Sequence, residues 1–121
     1  MKKRKAKKVE IPVMIRAEKK RAHPLEKGLA HIDDLVAIFP DQVGTDDPRT
    51  MTCYQRVGEH GSCSSSYAGA RTRPAKPGEV RKMLALLRRV GYGKGTSDSP
   101  ALRVVARPSA HHARARREQV R

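Results

Sequence analysis

The sequence predicts a small α+β domain: a small antiparallel or mixed sheet in the order β-β-β-α-β, with one amphipathic helix packed on one face. Three observations carry this. Residues 77–91, PGEVRKMLALLRRVG, repeat apolar side chains at helical spacing. Three short β-branched or apolar runs precede that stretch and one follows it. The chain of 121 residues has one Phe, three Tyr and no Trp, which suits one thin, aliphatic core with a single helix layer.

In chain order, residues 1–8, MKKRKAKK, form a charge run with nothing to bury and are expected to be a disordered tail. The domain proper is placed at 9–106. Residues 9–17, VEIPVMIRA, read as a strand that Pro12 pushes toward a sheet edge, because proline cannot donate to a ladder. Residues 18–31 are polar and punctuated by Gly and Pro, as in a loop. Residues 35–39, LVAIF, make a continuous apolar strand stopped by Pro40 and Asp41. Residues 42–49 are turn-rich. Residues 50–57, TMTCYQRV, alternate as a half-buried strand whose apolar face is Met51, Cys53 and Val57. Residues 58–70, dense in Gly and Ser, read as a loop or a bulged continuation of that strand.

The helix places Val80, Met83, Leu84, Leu87 and Val90 on one stripe. Pro77 suits its first position, where a missing N–H costs nothing, and Gly91 suits its end. Glu79 in the first turn and Arg88 and Arg89 in the last agree with the helix dipole. At about 100° per residue, Arg81, Lys82, Arg88 and Arg89 gather opposite the stripe. Residues 101–106, ALRVVA, are the last strand, and 107–121 a second basic tail expected to be disordered.

Charge is the strongest functional signal. The chain has 27 Lys and Arg against 12 Asp and Glu, a net charge of +15. The two ends and the helix region are basic, whereas 28–70 is acidic. Such a distribution points to a polyanionic partner. No apolar run is long enough for a signal peptide or a membrane span. With only Cys53 and Cys63, the expectation is a cytoplasmic protein with reduced thiols and no membrane partner.

Motifs for other chemistry fail on spacing or context. GYGKGTS at 91–97 lacks the G-x-x-x-x-G-K-[ST] order and follows a helix instead of opening one. Cys53, His60 and Cys63 have no C-x-x-C and no obvious fourth ligand, so no metal and no cofactor are expected. Glu59, His60 and the neighbouring serines offer acid–base groups, yet sequence neighbours do not establish the geometry that catalysis needs. Gly58, Glu59, His60 and Gly61 remain a ligand-loop candidate, because glycines flanking a histidine allow close backbone approach.

The segments YQRVGEHGSCSSSY (54–67), TRPAKPGEVRKMLALLRRVGY (72–92) and LRVV (102–105) resemble a group of short uncharacterised proteins of bacteria, phages and mobile elements. That group shares a Val-Gly-Gln-His-Gly-type loop and a Thr-Arg-Pro-Ala-Thr-Pro-type helix entry. The resemblance covers about residues 35–106. It implies a small α+β fold and cytosolic residence and brings no activity with it. Glu59 stands where the group has an amide, and Lys76 where it has the capping Thr, a change expected to weaken the helix start by on the order of 1 kcal/mol.

The function expected is a non-enzymatic nucleic-acid-binding accessory protein with weak sequence specificity. DNA or RNA phosphates would be met by Lys2, Lys3, Arg4, Lys5, Lys7 and Lys8, by Arg71 and Arg73, by Arg81, Lys82, Arg88 and Arg89, and by Arg114, Arg116 and Arg117. One alternative is an interaction module of a phage or mobile element that docks on a host protein. Another is a small enzyme or metal protein built on the His60 loop.

Overall fold

A computed structural model of the chain describes residues 10–41, 50–56, 59–96 and 98–106. The sequence-assigned tails at 1–8 and 107–121 lie outside them. Among the described residues, six strands and two helices follow in order: β1 (Glu10–Glu18), β2 (Leu35–Phe39), β3 (Thr50–Gln55), β4 (Glu59–Ser64), α1 (Ser65–Arg71), β5 (Thr72–Pro74), α2 (Pro77–Arg89) and β6 (Ala101–Val104). A 3-10 turn, Ile32–Asp34, precedes β2. The α+β class is as expected. The additional strands and helix all come from residues 59–74.

The antiparallel sheet runs β4-β3-β2-β1-β5, and β6 pairs with β1 in parallel. Both β5 and β6 use the same edge of β1. Ala75 N–H donates to Ile15 O at 3.2 Å and Val105 N–H to Val13 O at 2.9 Å, and carbonyls two residues apart point the same way. Thus β6 covers the first half of that edge and β5 the second.

The position of Pro12 corrects the expectation that it marks a sheet edge: β1 has partners on both sides. The ladder to β2 pairs Met14 with Ile38 and starts there. Continued by two residues, this register sets Pro12 against Pro40. Pro12's missing N–H faces that side, where the ladder has already ended, so it removes no bond.

β2 is buried on both faces, which explains its unbroken apolar run. Leu35, Ala37 and Phe39 join Val13, Ile15, Ala17 and Tyr54 beneath Met83 and Leu87 of α2. Val36 and Ile38 join Met14, Met51, Cys53 and Ala68 of α1 on the other face. On β3, Met51 and Cys53 are buried as expected, and Tyr54 is buried on the opposite face as well; Val57 lies outside the described residues.

On α2, Met83 and Leu87 are fully buried, with Val80, Leu84 and Leu86 beside them. Val90 departs from the predicted stripe: it caps the helix and is 44% exposed. Gly91, at φ 108°, takes the left-handed turn expected of it. Gly91 N–H bonds Arg88 O and Tyr92 N–H bonds Leu87 O, the Schellman pattern that satisfies the last carbonyls. Tyr92 then stacks on Phe39, ring centroids 5.3 Å apart, and seals that end of the core.

Residues 59–64, read from sequence as part of a loop or bulge, form the return strand of a hairpin, with Gln55 opposite Glu59 and Tyr54 opposite His60. Ser64 then caps α1 by accepting the Tyr67 N–H at 3.0 Å. The Arg16 guanidinium fastens α1 to β1 by donating to Thr72 Oγ1 at 2.9 Å and to the carbonyls of Thr72 and Ala68.

Candidate nucleic-acid interface

The amphipathic period of α2 places a basic face outward because the other side is buried under the sheet. Arg81, Ala85, Arg88 and Arg89 are exposed. Lys82 is half-buried, and its Nζ donates to Ala30 O at 3.3 Å, which steadies the side chain along the helix. Lys82, Ala85 and Arg89 follow one another at helical spacing. With Ile32, Leu86 and Arg56 they line a depression of about 350 Å³. Its floor is apolar, and three cations stand around it. Arg56, at the end of the β3 segment, is turned by an ion pair between its Nη1 and Asp33 Oδ1 at 3.4 Å.

Not every predicted cation joins this surface. Arg73 is engaged elsewhere: its Nη1 and Nη2 donate to Glu79 Oε1 and Oε2, each at 2.8 Å. Glu79 has no exposed surface. It also accepts the Lys76 N–H at 2.8 Å and the Ala30 N–H at 2.6 Å. The hydrogen-bonded Arg73 guanidinium, ahead of these backbone donors, lowers the Glu79 pKa to about 2, and the pair in turn raises that of Arg73. Lys76 offers no side-chain cap and instead reaches Gly28 O at 2.9 Å. Arg73 thus positions the entry to α2, and Glu79 supplies the half of a capping box that accepts the N–H of the residue before the helix.

Arg71 ends α1, on the opposite face of the sheet from α2. It lines a second depression, of about 720 Å³, with Glu18, Lys19, Lys20, Ser64, Tyr67 and Ala70. Inside it Glu18 Oε1 accepts from Tyr67 OH at 2.5 Å and from Gln55 Nε2 at 3.2 Å. Sequence reasoning missed Lys19 and Lys20 here and Arg56 beside α2. The KKR run at 19–21 signalled the first two, whereas Arg56 had no local signal.

Of the ligand-loop candidate, Gly58 lies outside the described residues, and Glu59, His60 and Gly61 belong to the ladder of β4. Lys2, Lys3, Arg4, Lys5, Lys7, Lys8, Arg114, Arg116 and Arg117 are also outside them. Among the described residues, the group of side chains with metal-ligand spacing is His23, His31 and Asp33, which no motif in the sequence announced. No described helix is long and apolar enough to cross a membrane. No family model, curated protein or solved structure matches the chain.

Proposed function

We propose that the protein is a non-enzymatic nucleic-acid-binding accessory protein that grips the phosphate backbone of DNA or RNA through the outer face of α2. The observation behind this reading is the convergence of Arg56, Lys82 and Arg89 on one depression, with Arg81 and Arg88 exposed on the same helix. A rigid helix holding several cations is a phosphate-tracking surface, and phosphate contacts carry no sequence information. The basic runs at 1–8 and 107–121 add sequence-independent attraction. The chain's few aromatic residues disfavour a stacking platform for single strands.

The test is binding of the full chain to duplex DNA, single-stranded DNA and RNA over a range of salt concentrations. The triple variant Arg81→Glu, Arg88→Glu, Arg89→Glu is expected to bind more weakly on every sequence. Its log affinity should fall less steeply with log salt, by about 0.9 for each duplex phosphate it no longer neutralises. Removing 1–8 and 107–121 should flatten the slope further. Absence of binding by the full chain at low salt would refute the reading, and docking on a protein partner would then take its place.

A further inference from the structure

We propose that His23, His31 and Asp33 form a binding site for one divalent first-row transition-metal ion of the zinc type. Asp33 Oδ2 lies 3.4 Å from His23 Nε2 and 3.5 Å from His31 Nδ1. Ligands at zinc distances in a tetrahedron are separated by about 3.4 Å, so two edges of the required figure already exist. Two imidazoles and a carboxylate suit zinc and its neighbours better than magnesium or calcium, which prefer all-oxygen sets.

The cluster is built by buried chemistry beneath it. Asp34 is fully buried, and its carboxylate accepts the backbone N–H groups of Ala22 at 2.9 Å and His23 at 3.1 Å. That clamp brings His23 back beside His31 although the chain between them is a loop. The 3-10 turn sets Asp33 close to His31 on the other side. Asp33 is itself oriented. Its Oδ1 faces the Arg56 guanidinium at 3.4 Å, leaving Oδ2 toward the two imidazoles. An outer-shell partner on the non-ligating oxygen is the usual support of a metal-binding carboxylate.

Metal entry requires two local adjustments. The imidazoles stack with centroids 4.0 Å apart and planes 22° from parallel, so their in-plane lone pairs do not yet converge. The side chains are 41% and 36% exposed, so a turn about the Cβ–Cγ bond displaces little packing. His31 Nδ1 also exchanges its hydrogen bond from the Asp33 N–H, 3.1 Å, for the metal. The described residues supply three ligands, which leaves a position for water or an external donor, the pattern of an open site.

The experiment titrates the chelator-treated full chain with Co²⁺ and then Zn²⁺. One Co²⁺ per chain is expected, with visible d–d absorption that Zn²⁺ abolishes and paramagnetic loss of two imidazole NMR signals. His23→Ala and His31→Ala should each weaken binding at least tenfold. The control variant His111→Ala, His112→Ala should bind as wild type does. Circular dichroism confirms the fold; should His31→Ala fail to fold because it removes a cap, His23→Ala carries the test alone. Absence of saturable binding at one equivalent, undiminished binding in His23→Ala, or loss of binding in the His111/His112 variant would overturn the proposal.

Discussion

At the residue scale, Glu79 governs how the helix enters the fold. It is a carboxylate with no exposed surface, and its two oxygens accept from Arg73, Lys76 and Ala30. One side chain thereby ties the β5–α2 junction to the loop before β2. Glu79→Gln keeps the volume and removes the charge, leaving buried donors poorly matched. The expected loss is about 2–4 kcal/mol at neutral pH, below the maximum for a fully buried pair because Arg73 retains contact with water. Chemical denaturation measures it. The sign with pH follows from the lowered pKa, about 2 against an ordinary 4.5. The carboxylate's contribution is complete above the unfolded value and disappears as pH falls through the folded one. The stability gap between wild type and Glu79→Gln should therefore shrink between about pH 4.5 and 2. A gap constant over that range would show that the ion pair is not its source.

At the scale of elements, α2 is the principal packing unit. Leu87 is fully buried against the sheet, so Leu87→Ala should cost roughly 2–5 kcal/mol. Val90, assigned to the same stripe by periodicity, is exposed, and Val90→Ala should change stability by less than about 0.5 kcal/mol. Denaturation midpoints of the two variants separate a buried stripe from a merely periodic one. The helix was legible because its period, its Pro77 start and its Gly91 stop agree. β1, β2 and β3 were legible from their apolar runs. Residues 59–74 were not, for physical reasons. β4 is an edge strand held by one neighbour. α1 puts Ala68 into the core and relies on the Ser64 cap and on Arg16. β5 is three residues long and exists by pairing with β1. The basic face of α2 followed from helix geometry. Arg56 and the His23–His31–Asp33 cluster did not, because loop paths set by Asp33 and Asp34 decide where they lie.

At the scale of the whole molecule, β1 joins the parts. β2 occupies one of its edges, and β5 and β6 share the other. A chain ending at Ala106 should keep the wild-type denaturation midpoint, whereas one ending at Pro100 loses β6 and should be markedly destabilised. Equal midpoints would show that the β6 pairing contributes little. The same arrangement also has a consequence during synthesis. The ribosome releases β1 first and β6 last, so the Glu10–Val13 edge must wait, with N–H and C=O groups unpaired, while everything between is made. An open edge of that kind recruits strands from neighbouring nascent chains. Pro12 already silences the opposite edge at this point. The six Lys and Arg of residues 1–8 immediately precede the waiting segment, where like charge repels a second copy of the same sequence. The charge of this run thus opposes self-association on the polysome before β6 arrives.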